Sequence, residues 1–112
     1  MKKLMEHIDP QKLEENAEKA AKLLKSMSHP SRLMVLCYLM KGECTVSVLN
    51  QFIPLSQSAL SQHLAGLRQA GLVDTRRESQ VIHYRLKSQA VSGILEALYR
   101  IYCNPNDKEN LL

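Results

Sequence analysis

Apolar side chains recur at three- and four-residue spacings through five stretches of this chain and alternate with polar ones through two more. Asp9-Pro10 opens the first helix, since aspartate is a favoured cap and proline suits the first helical position. Leu13, Ala17, Ala20, Ala21 and Leu24 then make one amphipathic stripe as far as Met27. Ser28-His29-Pro30 interrupts the run, and Leu33, Leu36, Cys37 and Met40 line one face of a second, short helix ending near Gly42. Thr45 caps a third over Val46–Phe52, with Val48, Leu49 and Phe52 apolar and Pro54 ending it. Ser56 caps a fourth, which buries Leu60, Leu64 and Leu67 and stops at Gly71.

Residues 73–77 and Val81–Leu86 read as strands, the second with Ile82, Tyr84 and Leu86 on one face and Val81, His83 and Arg85 on the other. The link between them, Glu78-Ser79-Gln80, lacks Gly and Asn, so its hairpin signal is weak. A last helix to about 103 carries the stripe Val91, Ile94, Leu95, Leu98, Ile101 and Tyr102. The expected order is α-α-α-α-β-β-α in a single domain over 1–112, with a polar, frayed tail at 104–112.

Composition narrows this picture. With 112 residues there is one core, and with 4% aromatic side chains and no Trp that core is aliphatic. A small core gains from a second copy of the chain, which buries what one copy leaves exposed. The net charge of +4 is a mild bias toward polyanions, but its placement says more. Between Arg68 and Lys87 lie Arg68, Arg76, Arg77, Arg85 and Lys87 against Asp74 and Glu78, an excess of +3. No apolar run suits a signal peptide or a membrane span, so a cytoplasmic protein with no membrane partner and with reduced thiols is expected. Cys37, Cys44 and Cys103 have no CxxC spacing.

The fourth helix carries the sharpest signal. Opposite its leucines lie Gln57, Ser58, Ser61, Gln62 and Ala65, with Arg68 a turn beyond. Gln bonds adenine edges, Ser bonds several bases, Ala tolerates a thymine methyl, and no carboxylate is present to repel phosphate. An ordinary solvated helix face would carry more Glu and Lys. The two short helices separated by a Pro-containing turn make a helix-turn-helix, and Arg76, Arg77, Gln80, His83 and Arg85 would form a wing against phosphates or the minor groove. Taken alone, those wing charges fit a solvated hairpin edge better, but beside the fourth helix they do not.

Residues 20–100 resemble the ArsR/SmtB family of winged helix-turn-helix repressors, through HPSRLMVLCYL and LSQSALSQHLAGLRQAGLVDTRRESQVIHYRL. The resemblance implies a homodimer built on the first and last helices, binding a partly palindromic double-stranded DNA operator and leaving it when an inducer arrives. Metal-sensing members carry cysteines on the third helix or Asp/His ligands on the last. Here Thr45 and Ser47 stand at the cysteine positions, and no His follows Leu86. His7, His29, His63 and His83 are scattered over unrelated elements, so no metal and no cofactor is expected.

The pair Cys37 and Cys103, with the ending LEALYRIYC, is similar to the SqrR/BigR/HlyU-type thiol-sensing branch. That similarity implies a dithiol whose oxidation or persulfidation, by a small sulfur or oxidant inducer, lowers operator affinity. Two packing cysteines are the alternative, because free Cys is often buried and inert. Arg100, one turn before Cys103, would favour a thiolate there, whereas the helix C-terminus disfavours it. Cys44 reads as incidental. A metal-responsive repressor with ligands recruited across a dimer, and a protein-interaction dimer without specific DNA binding, are the other readings. No Gly-rich phosphate loop, HExxH or nucleophile elbow occurs, so an enzyme is not expected.

Overall fold

The computed structural model describes residues 7–103; the tail expected over 104–112 lies outside them. Its elements are α1 (Pro10–Met27), α2 (Pro30–Lys41), β1 (Cys44–Thr45), α3 (Val46–Phe52), α4 (Gln57–Gln69), β2 (Val73–Glu78), β3 (Val81–Leu86) and α5 (Gln89–Tyr102). Four helices begin at the caps the sequence supplies. Asp9 Oδ1 accepts from the Gln11 N–H at 3.0 Å, and Thr45 Oγ1 from the Val48 N–H at 3.2 Å. Ser56 Oγ accepts from the Ala59 N–H at 3.1 Å, and Ser88 Oγ from the Val91 N–H at 3.3 Å. Each satisfies a backbone donor that the helix itself leaves open.

The stop of α4 sets the direction of everything after it. Gly71 takes φ 80°, its N–H donates to the Arg68 carbonyl, and the Leu72 N–H donates to the Leu67 carbonyl, both at 3.0 Å. That is a Schellman ending, and Leu67 and Leu72 on either side of it are both buried in the core. The chain then enters β2 at the buried Val73.

The sheet has order β1-β3-β2, all antiparallel. β2 and β3 form a hairpin whose closing pair is Glu78 and Val81, with Ser79 at φ 59° as the first turn residue. A left-handed first position twists the turn with the strands, which explains how the link closes without Gly or Asn. β1 was not expected. Two residues show no alternation, and Cys44 and Thr45 are extended because the free edge of β3 pairs them with Tyr84 and His83.

The core is aliphatic. Leu36, Leu49, Leu60, Leu64, Leu67, Val35 and Val91 are fully buried, with Leu39, Ile53, Leu72 and Leu95 nearly so. On α2 the buried set is Val35, Leu36 and Leu39, with Leu33, Cys37 and Tyr38 half-buried, and the expected Met40 is exposed. α2 packs on α4, α5 and β3 together, so a single stripe does not describe it. On α3 only Leu49 is buried; Phe52 is exposed and stacks on Tyr38 with ring centroids 5.3 Å apart. No helix among the described residues is long and apolar enough to cross a membrane.

Candidate nucleic-acid interface

α4 is anchored along its back by Leu60, Leu64 and Leu67, each fully buried. With 3.6 residues per turn, that anchor turns Gln57, Ser58, Ser61, Gln62, Ala65 and Arg68 outward, and all six are exposed. Among the described residues none of the five polar members spends a side-chain hydrogen bond on neighbouring protein. The row is therefore free to bond a partner.

The polar surface continues onto α3. Ser47, Asn50 and Gln51 line a shallow hollow with Gln57, and the Asn50 amide donates to the Leu55 carbonyl at 2.8 Å, fixing the turn into α4. Ser47 and Gln51 lie four residues apart on one helical face, a spacing visible in the sequence but not singled out there.

The wing divides its arginines. Directly paired residues share a sheet face, so Arg76 goes with His83, Asp74 with Arg85, and Arg77 with Ile82 on the opposite face. Arg76 is held by Glu43 at 2.7 Å and Glu78 at 3.0 Å, and Arg85 by Asp74 at 3.3 Å. His83 is half-buried, with its Nε2 3.7 Å from Glu78. Hydrogen bonding to Glu43, then to Glu78, raises the Arg76 pKa. Bonding from Arg76 keeps Glu78 below its usual range, as Arg85 does for Asp74. Arg77 has no such partner among the described residues. Asp74 and Glu78 are already subtracted in the +3 counted along this segment, and Glu43, from outside it, takes up one more of those charges.

Although 66 positions separate them (103 − 37), Cys103 comes near enough to Cys37 to influence its ionisation. The Cys37 pKa is raised first by burial and then by the nearby Cys103 thiol, with Lys41 pulling it down. Cys103 stands at the C-cap of α5, its N–H donating to the Tyr99 carbonyl at 2.7 Å. Cys44 is raised by burial alone and its Sγ lies 3.7 Å from the Gly42 carbonyl.

The histidines are less scattered than the sequence suggested. His29 and His63 meet with ring centroids 4.4 Å apart, and Arg32 Nε donates to His63 Nδ1 at 3.2 Å. Among the described residues no three His, Cys, Asp or Glu side chains converge in a way that could hold a metal ion.

Residues 29–75, which include α2, α3 and α4, match the family model described as "Bacterial regulatory protein, arsR family". The chain is 49% identical over 86% of its length to the transcriptional activator HlyU of Vibrio cholerae, covering 89% of that protein. It is 46% identical over 88% of its length to the biofilm growth-associated repressor of Agrobacterium fabrum, covering 83% of it. Its fold superposes on the solved structure of reduced HlyU from Vibrio cholerae with a TM-score of 0.79, over 84% of this chain and 99% of that one. With that identity over nearly the whole length, a helix-turn-helix in α3–α4 and a β2–β3 wing, this chain belongs to the arsR family of bacterial regulatory proteins and has its winged-helix fold.

Proposed function

We propose that this chain is a homodimeric, cytoplasmic transcriptional repressor that reads duplex DNA with α4 and releases it when Cys37 and Cys103 become bridged. The observation that carries the DNA reading is the row Gln57, Ser58, Ser61, Gln62 and Arg68, exposed and free of carboxylate, on a helix whose back is locked in the core. Ser and Gln at those positions read base edges; Arg77, and the wing with Arg76, His83 and Arg85, supply the backbone side. A dimer is supported by apolar side chains left exposed on both terminal helices, Leu13 and Leu24 on α1 and Tyr99, Ile101 and Tyr102 on α5. Two copies joined there would present two α4 helices to successive major grooves.

The thiol switch is supported by the electrostatic coupling of Cys37 with Cys103. Burial disfavours the Cys37 thiolate and slows its attack, so Cys103 is assigned the first attack on the sulfur donor and Cys37 the second. Attack by Cys103 on a polysulfide leaves a persulfide and expels a shorter polysulfide. Attack by Cys37 on that persulfide closes the bridge and expels hydrosulfide, so the two thiols lose two electrons to the donor. A bridge tying α5 to α2 would shift the spacing between the two reading helices.

Fluorescence anisotropy on duplexes selected from a random pool tests the first part. Specific binding that survives physiological salt supports it; binding equal to that of a scrambled duplex refutes it. Tetrasulfide treatment should then lower affinity and join Cys37 to Cys103 in a disulfide seen by mass spectrometry. A Cys37→Ser protein that keeps the full response refutes the switch alone.

A further inference from the structure

Arg32 of α2 is clasped on three sides. Its Nε donates to His63 Nδ1 on α4 at 3.2 Å, and one terminal nitrogen donates to the Ser26 carbonyl on α1 at 3.0 Å. The other terminal nitrogen lies over Gly66 of α4, where a Cβ would overlap the guanidinium. His63 and Gly66 are three residues apart, so the planar group lies along one strip of α4. His29 completes the cluster. Its Nδ1 accepts from the Ser31 N–H at 3.0 Å as the α2 cap, and its ring leans on His63. None of these groups belongs to the outward polar row.

We propose that Arg32 is the positioning residue of α4, fixing its roll against α1 and α2 through Gly66 and a neutral His63. The inference rests on the DNA-reading role of α4 proposed above. A lysine could not replace the fork, because a single ammonium cannot reach His63, Ser26 and the Gly66 seat in one plane. His63 accepts from Arg32 through the Nδ1 lone pair. Once protonated, both ring nitrogens carry hydrogen, the bond is lost and two cations face each other.

The charged and titratable groups bearing on His63 are His29 and Arg32; α1 contributes only the Ser26 carbonyl, to Arg32. Among the described residues no carboxylate pairs with this cluster to soften the repulsion. Burial, then His29, then Arg32, all hold the His63 pKa below the usual histidine value. The clasp is thus kept at neutral pH and given up on acidification, with α4 losing its fixed angle.

The test compares the full-length protein with His63→Asn, which keeps an amide oxygen acceptor near the Nδ1 position and does not titrate. The readout is the ratio of affinities for a selected and a scrambled duplex from about pH 8 to about pH 4.5. Taking the ratio cancels the general gain in phosphate attraction when exposed histidines become charged. The wild-type ratio should drop about tenfold at the acid end while the His63→Asn ratio stays level; identical profiles overturn the proposal. Gly66→Ala, which displaces the guanidinium, should lower the ratio at every pH and leave scrambled-duplex binding unchanged. A DNA-free readout separates the two proposals. The Arg32 Nε–H resonance should be protected at neutral pH and vanish as His63 titrates. An unprotected resonance at neutral pH overturns the clasp, whereas a protected one with no duplex preference in either protein refutes the DNA reading.

Discussion

Arg76 Nε lies 2.7 Å from Glu43 Oε1, so the wing is tied by charge to the loop between α2 and β1. The pair is partly exposed, and ion pairs of that kind add little to stability. Its consequence is for binding. A guanidinium already shared between Glu43 and Glu78 gains less from a phosphate than one with only water around it.

Arg77 should therefore contribute more to DNA attraction than its neighbour in sequence. Arg77→Ala should reduce the slope of log affinity against log salt by about one, and Arg76→Ala by less. Glu43→Gln should release Arg76 and steepen the slope. Salt titrations of the three variants on one duplex check this; equal slopes for Arg76→Ala and Arg77→Ala would refute the division.

Stronger acid than titrates His63 should loosen the hairpin. Asp74 is held below its usual range chiefly by its hydrogen bond from Arg85, and Glu78 by that from Arg76. A carboxylate depressed in the fold contributes stability that is full above the unfolded pKa of about 4 and is lost as pH falls through the folded value. Asp74→Asn and Glu78→Gln should remove that pH dependence below about pH 4. Hydrogen exchange of β2 and β3 amides against pH is the measurement, with parallel profiles in wild type and variants as the opposing result.

Cys37 should react slowly with iodoacetamide at neutral pH and faster as pH rises, because burial and Cys103 both disfavour its thiolate. Cys103→Ser removes the second of these, so Cys37 in that variant should alkylate faster than in wild type at a given pH. Lys41→Gln removes the favourable charge and should slow it. Mass-spectrometric alkylation rates decide, and an unchanged rate in Cys103→Ser would show the two thiols are not coupled.

Two leucines should part company. Leu64→Ala opens a cavity beneath α4 and should cost about 2–5 kcal/mol, read by urea unfolding. Leu24 is half exposed on α1, so Leu24→Glu should leave the monomer fold intact by circular dichroism yet raise the dimer dissociation constant in sedimentation. A Leu24→Glu protein that associates as wild type does would place the dimer surface elsewhere.

What the chain declares by itself is what short-range chemistry controls. Asp9, Thr45 and Ser56 bond donors two or three residues away, Gly71 supplies a left-handed stop, and Leu60, Leu64 and Leu67 repeat at the helical period. The caps, the stops and the outward row of α4 were therefore legible, as were the bounds of α1, α3 and β3. Only tertiary structure decided the rest. β1 exists because β3 offers an edge, and Met40 is outside because α2 is enclosed by three elements rather than one. Which arginine is spent and which is available depends on Glu43, 33 residues before Arg76, and the seat of α4 depends on Arg32, 31 residues before His63. Charge and hydrogen bonding act across space, and a list of residues holds no distances between segments until packing of the leucine core brings them together.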